Sequence, residues 1–347
     1  MKFLKLILIP FIPVYAAIIG IRNFLFDKMF FEAKSVNAKV MSVGNITLGG
    51  SGKTPTVIFV TNLLKNEHKN VGVLSRGYGR NSTGYQLVSK GGGILTTVEQ
   101  CGDEMYHTAL ECKVPAAVCE NRVDGAVRLI KETGINYLVL DDAFQHRWIK
   151  RDVNLLVFEQ RFLLSSDFFV HTLFPSGTLR EPFSTVKRAD AVIINRKFSE
   201  LENIPIKRKK YFKDVPIFTA LYKAISFIDL NSKQEYNLEE FKGQKSLVVS
   251  GIANPFSFLN ILRQTNVDTT NKMIFKDHKK YSLKEVERIR KKFYISNSHS
   301  VVTTEKDAVK LSKYSKELDD IDIFYLKIIL VMDDEIKFKN FLLNKLA

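Results

Sequence analysis

The stretch Thr47-Leu48-Gly49-Gly50-Ser51-Gly52-Lys53-Thr54, followed by Pro55, does most to constrain this chain of 347 residues. It lies between an apolar run at 38–43 that reads as a strand and a segment at 55–64 that reads as a helix. Strand, glycine-rich loop and helix, in that order, form a phosphate-binding loop. Glycines let successive backbone N–H groups turn toward phosphate oxygens. The helix start adds its partial positive charge. Lys53 is placed to reach the β- and γ-phosphates of a nucleotide such as ATP, and the Thr54 hydroxyl to ligate Mg²⁺. Pro55 suits a first helical turn, where its missing N–H costs nothing. The match to G-x-x-x-x-G-K-[ST] has one departure, since Thr47 stands at the first glycine.

Such a loop needs an acidic partner at the end of a neighbouring strand. The segment 137–142 supplies one, with Asp141 and Asp142 closing an apolar run. Either carboxylate could hold Mg²⁺, directly or through water. Gly102-Asp103-Glu104 falls at a predicted helix start. Read alone, these acids serve equally as a cap or as base and metal partner.

Around these motifs, strand-like and helix-like segments alternate, which predicts βαβ units and a mostly parallel sheet. Strands are expected at 71–74, 115–118, 137–140, 154–158 and 191–194, and helices at 102–111 and 121–132. Two paired strands at 217–222 and 225–228 mark a boundary near 222, and a second alternation follows to the last helix from 334. The expectation is a P-loop NTPase-type α/β fold with a second, smaller α/β domain. Its parts are an N-terminal helix over 1–26, a P-loop domain over 27–222 and the smaller domain over 223–347.

Residues 6–21 carry no charge and are flanked by Lys2, Lys5 and Arg22. The run is short for a span and holds Pro10 and Pro13. A nucleotide loop soon after it argues against a signal peptide, leaving a helix lying in the membrane interface. Fifty-two Lys and Arg against 37 Asp and Glu give a formal charge of +15, which predicts an anionic partner. The basic residues are dispersed and form no nucleic-acid motif, so nucleic acid is not expected. Three cysteines without paired spacing argue against a disulfide scaffold or a zinc site.

The ordered set Gly44-Asn45, the loop above, Ser75-Arg76-Gly77-Tyr78-Gly79, Gly102-Asp103-Glu104, Asp141-Asp142-Ala143-Phe144-Gln145-His146, Gly177-Thr178-Leu179-Arg180-Glu181-Pro182, Gly251-Ile252-Ala253-Asn254-Pro255, Asp277-His278 and Thr304-Glu305-Lys306-Asp307-Ala308 resembles the tetraacyldisaccharide 4′-kinase family of Gram-negative bacteria. The resemblance covers residues from about 5 to 312. It implies a kinase at the cytoplasmic face of the inner membrane. Such an enzyme moves the γ-phosphate of ATP to the 4′-hydroxyl of a tetraacyldisaccharide 1-phosphate lipid; no obligate protein partner is evident from the sequence. Carried over residue by residue, Asp103 matches the catalytic carboxylate and His278 its partner. Glu104, Asp141 and Asp142 match acids near the metal and the acceptor. Arg76, Tyr78, Arg122, Gln145, His146 and Arg180 fall at positions able to line the lipid headgroup pocket. Ala143 replaces a common glycine, and Lys279 replaces a histidine that often follows His278. Another P-loop small-molecule kinase, or a membrane-bound ATPase switch, is the competing expectation.

Overall fold

Apolar runs without internal charge become the buried strands of two compact units, residues 1–221 with 330–347 and residues 222–329. The structure is a computed structural model that describes residues 2–252, 255–276 and 279–347. In the larger unit the strands are β1 (Lys39–Gly44), β2 (Val71–Ser75), β3 (Gln86–Lys90), β4 (Pro115–Val118), β5 (Tyr137–Asp141), β6 (Val153–Glu159), β7 (Ala191–Asn195) and the start of β8 (Ile217–Asp229). They lie in the order β8–β7–β6–β1–β5–β2–β4–β3. All pair in parallel except β3, which runs antiparallel on β4. β1, β2, β5 and β7 are buried along nearly their whole length, as strands covered on both faces must be.

The register sets the site. Val43 lies opposite Asp141 on one side and Leu155 on the other, so the loop leaving Gly44 starts where β5 ends. Ligands of open parallel sheets bind at the carboxyl ends of the strands. That edge carries Arg76 after β2, Arg122 after β4, Asp141 and Asp142 at β5, the loop after β1, and Asn195 at β7. The helices Lys53–Asn66 and Arg122–Thr133 cover the sheet through Val57, Val60 and Leu64, and through Val123, Ala126 and Leu129. These residues recur at helical spacing.

The smaller unit takes the rest of β8, then β9 (Glu235–Asn237), β10 (Lys245–Ser250), β11 (Asp268–Ile274), β12 (Ser300–Thr304) and β13 (Ile323–Met332), ordered β11–β10–β12–β13–β8. Its core gathers Leu247, Val249, Val286, Ile289, Val301 and Leu311. Asp307 accepts the backbone N–H of Gly251 (2.8 Å) and the Thr304 hydroxyl (2.7 Å). Two of the ordered motifs therefore brace one another. Lys279 pairs with Glu285 (2.7 Å), whose carboxylate also caps the helix Leu283–Ile295.

Three sequence expectations change. The paired strands at 217–222 and 225–228 are the single strand β8, which runs on through exposed Lys223: a surface lysine interrupts the apolar pattern without ending the strand. Residues 330–347 belong to the larger unit, not to the C-terminal one. Phe338 of the helix Glu335–Leu346 packs on Phe59 and Phe218, and Lys339 pairs with Glu67 (3.0 Å). The N-terminal helix is interrupted: Lys2–Ile7 is α-helical, Ile9–Phe11 is 3₁₀, and Ile12–Asp27 is α-helical. Pro10 and Pro13 each open a new segment, having no N–H to continue the previous one. Counted from Lys5 to Asp27, this stretch of 23 residues is long and apolar enough to cross a membrane by length and composition.

Candidate active site

Gly44 ends β1 against Phe144, with room for no side chain: a Cβ there would lie 2.6 Å from the Phe144 Cβ. This contact sets the turn 142–146 beside the loop. Asn45 is fully buried and bonds across the loop, its amide donating to Thr47 Oγ1 (3.1 Å) and Ser51 Oγ (2.8 Å). Its backbone carbonyl accepts from the Gln145 side chain (2.8 Å), and its Oδ1 from Arg180. The strand-like segment 178–180 runs alongside: Leu48 N–H donates to the Thr178 carbonyl and Arg180 N–H to the Ile46 carbonyl, both at 2.7 Å. Thr47 sits in this pairing, buried and bridged to Leu179. The position therefore has no use for a glycine, which accounts for the departure from the motif. From the far side, buried Asn195 reaches the Ser51 carbonyl (3.4 Å).

Gly49 (φ 104°) and Gly52 (φ 96°) take left-handed conformations that favour glycine. Among the described residues, no atom beyond the chain neighbours lies within 4 Å of where a Cβ would stand at Gly49 or Gly50, so this stretch of the loop faces open space there. Gly52 then caps the helix Lys53–Asn66. Half-buried Lys53 lies 3.8 Å from Asp142.

Asp142 leaves β5 at φ 48°, a left-handed turn that Asp tolerates better than most residues. Arg180 grips its carboxylate with two N–H groups, at 2.8 and 3.1 Å. Burial works to raise the Asp142 carboxyl, but Lys53 and Arg180 outweigh it and hold it below the usual range. Asp141 is the opposite case. Burial, and then the Asp142 charge, push its carboxyl up to about 7, against the pull of Lys53 and Arg122. Its Oδ1 is buried with no hydrogen-bond partner among the described residues. Glu104 adds to the upward push and so stands in the same cluster.

Arg122 is buried at the start of its helix, its guanidinium pushed down by burial and by neighbouring Arg76 while Asp142 and Asp141 hold it up. His146 is pushed down to about 4 by burial and by Arg122, so it is neutral near pH 7. Asp103 and Glu104 open the helix Asp103–Cys112. Gly102 (φ 86°) before them lets the Tyr78 carbonyl approach to 2.8 Å of a would-be Cβ, which brings the 76–79 turn against this helix start. Arg76 and Tyr78 are exposed there. Ala143 keeps a negative φ, so replacing a glycine costs it no strain.

The structure thus gathers Lys53, Glu104, Asp141, Asp142, Arg122, Arg76 and Arg180. Gln145 and Arg180, expected in a lipid pocket, are both engaged with Asn45. His278 lies outside the described residues. Asn45 and Asn195 were not singled out from the sequence as site residues. Asparagine next to glycine or at a strand end reads as a turn, and only the cross-loop bonds reveal the bracing role. A cation suits the buried, unpartnered oxygen of Asp141. Among the described residues no three His, Cys, Asp or Glu side chains converge as a metal cage. A Mg²⁺ ion here would draw most of its oxygens from phosphate and water, as that ion commonly does. The three cysteines are free and buried.

A family model described as tetraacyldisaccharide-1-P 4′-kinase matches residues 4–347. A tetraacyldisaccharide 4′-kinase of Cytophaga hutchinsonii is 32% identical over 324 residues, covering 92% of this chain and 89% of that protein. One from Halothermothrix orenii is 35% identical over 327 residues, covering 90% and 83%. The crystal structure of LpxK from Aquifex aeolicus in complex with ATP superposes with a TM-score of 0.82 at 31% identity, covering 99% of this chain and all of that one.

Proposed function

The chain belongs to the tetraacyldisaccharide-1-P 4′-kinase family and is an ATP-dependent kinase of lipid A biosynthesis, and we propose that loop 47–54 presents the γ-phosphate to the acceptor's 4′-hydroxyl while Asp103 takes the proton. The observation that carries this reading is the open space over Gly49 and Gly50, next to a helix that starts at Lys53.

Phosphoryl transfer is mostly positioning and charge stabilisation. Backbone N–H groups of the loop and the helix start would hold the triphosphate. Lys53, now 3.8 Å from Asp142, would turn toward the phosphate oxygens as negative charge builds on them. Arg180 would still hold the Asp142 carboxylate in place without Lys53. Asp141 and the Thr54 hydroxyl, with Glu104 nearby, would hold Mg²⁺. When bound, that ion neutralises charge on the β- and γ-phosphates. Asp103 would accept the 4′-hydroxyl proton, and His278 is the partner that the family resemblance assigns to it. Arg76, Tyr78, Arg122, His146 and Arg180 would face the lipid headgroup.

The N-terminal helix supports a membrane-bound enzyme. Leu6, Ile7, Phe11, Val14, Ile18, Ile21 and Phe24 are all exposed. The adjoining side is docked: the Tyr15 hydroxyl donates to the Arg180 carbonyl (2.9 Å), Arg22 to the Gln145 carbonyl, and the Ser176 hydroxyl to the Lys5 backbone carbonyl (2.6 Å). A helix docked along its length is suited to lie on a membrane rather than to cross it. We place the enzyme at the cytoplasmic face of the inner membrane, where ATP and lipid acceptor meet.

The deciding experiment incubates the chain with γ-labelled ATP, Mg²⁺ and a tetraacyldisaccharide 1-phosphate in mixed micelles. Label in the lipid is expected. Label released only as inorganic phosphate would mean an ATPase and would end the kinase reading.

A further inference from the structure

A cavity of about 580 Å³ lies apart from the loop 47–54, between the end of the N-terminal helix and the segment 144–154. Phe26, Phe31 and Phe144 form apolar wall, and Arg147, Lys150, Arg151 and Arg188 line the rest. Among the described residues the only carboxylate in the lining is Glu32.

The cations are unequally compensated. Arg147 pairs with Asp27 (2.7 Å) and Arg188 with the buried Glu181. Among the described residues Arg151 has no ion-pair partner. Its guanidinium donates to the carbonyls of Ala143, Phe144 and His146 and to Asn154 Oδ1. Burial, then Arg188 and Arg147, push Arg151 down to about 9 against the pull of Glu181. The nearest counter-charge, Glu181, is already paired with Arg188, and a cluster of cations held out of water on one shared carboxylate costs free energy that a bound anion would recover. Lys150, at the rim and exposed, has no ion-pair partner among the described residues either.

The surroundings narrow the anion. Phe24, Met29, Phe30 and Trp148 are exposed around this end of the helix and continue its apolar stripe. Aromatic and basic groups together at the end of such a stripe suit the headgroup depth of a bilayer. We propose that this cavity binds the phosphate headgroup of an anionic membrane lipid, at a site separate from the phosphoryl-acceptor pocket. The inference rests on the membrane-surface reading above.

Trp148 is the only tryptophan in the chain, and its ring packs on Phe26 (4.8 Å) and Phe31 (5.0 Å) of the cavity wall. Its fluorescence is therefore a local probe. The full-length protein is titrated with dihexanoyl phosphatidylglycerol below its micelle concentration, with dihexanoyl phosphatidylcholine, and with inorganic phosphate at constant ionic strength. A saturable change with phosphatidylglycerol is expected, with the other two much weaker. Lys150→Gln should weaken that binding about fivefold, the usual worth of one basic group at a lipid surface. Arg147→Gln, checked for native circular dichroism, should weaken it at least as much. A response that does not saturate, or that Lys150→Gln leaves unchanged, overturns the site. Equal response to inorganic phosphate overturns the lipid assignment in favour of a free-phosphate site. A separate arm sediments the wild-type protein with phosphatidylcholine–phosphatidylglycerol vesicles. No sedimentation there refutes the membrane reading itself, whereas sedimentation without the Trp148 response refutes only the cavity.

Discussion

Asp141 and Asp142 are adjacent, yet their surroundings drive them apart: Lys53 and Arg180 hold the second ionised, while burial and its neighbour push the first up to about 7. That difference predicts how stability depends on pH. An unfolded Asp141 titrates near 3.8 and the folded one near 7. Between those values the folded chain binds more protons, so stability falls as pH rises and levels off above about 7. The slope is at most about 1.4 kcal/mol per pH unit for one group. Asp141→Asn should remove it, leaving the variant at least as stable as wild type at neutral pH but poorly active. Urea unfolding of both proteins across this range, without nucleotide, is the measurement. A wild-type stability that rises from pH 4 to 7 as steeply as the variant's would contradict the assignment. A second expectation concerns Asp103 and His278. Each change to Ala should lower turnover by about 10²–10⁴, the usual worth of a general base. If the two act as one unit, the double variant should be scarcely worse than the worse single one. Additive losses would separate their roles.

At the scale of elements, the sequence made the central sheet legible and the N-terminal helix only in part. β1, β2, β5 and β7 are continuous apolar runs with turn signals at both ends, which is how buried parallel strands read. The loop and the acids at β5 followed from their position at strand ends. Asn45 and Asn195 were not legible because their roles depend on which segments lie alongside. The helix Ile12–Asp27 has two apolar faces, so its periodicity is weak. One stripe, through Tyr15, Arg22 and Phe26, docks against 145–148 and 180. The other, through Val14, Ile18 and Ile21, stays exposed. A domain boundary at 26 would also cut the packed cluster of Phe26, Phe31 and Trp148. The two stripes predict different mutants. Replacing Val14, Ile18 and Ile21 together by Ser should release the protein from vesicles, since each such side chain is worth roughly 1.5–3 kcal/mol when buried in lipid. Unfolding free energy should change by only about 0.5 kcal/mol per site, as for other exposed positions. Full sedimentation of the triple variant in high salt would show that this stripe is not the membrane face.

On the scale of the whole molecule, the chain leaves the larger unit in β8, builds residues 222–329, and returns in β13. Its last helix, Glu335–Leu346, turns Phe338, Leu342 and Leu346 inward. Phe338 is fully buried between Phe59 and Phe218, and Phe59 belongs to the helix that begins at Lys53. Ion pairs reinforce the attachment: Arg196 with Asp333 (2.6 Å), Lys339 with Glu67 (3.0 Å) and Lys345 with Asp190 (2.9 Å). Exposed pairs of this kind contribute little each, so Phe338 is the main anchor. Phe338→Ala leaves a cavity beneath the helix that carries the phosphate loop and should cost about 3–5 kcal/mol. The loss should fall on the larger unit alone. Amide hydrogen exchange should quicken in Lys53–Asn66 and in β6, while Leu283–Ile295 in the other unit keeps its protection. ATP with Mg²⁺ binds only the folded larger unit on this reading, so saturating nucleotide should restore part of the lost protection there. Faster exchange in Leu283–Ile295 with no change in Lys53–Asn66 would instead assign the terminal helix to the smaller unit. Such an outcome would return the division of the chain to the one that sequence alternation alone suggests.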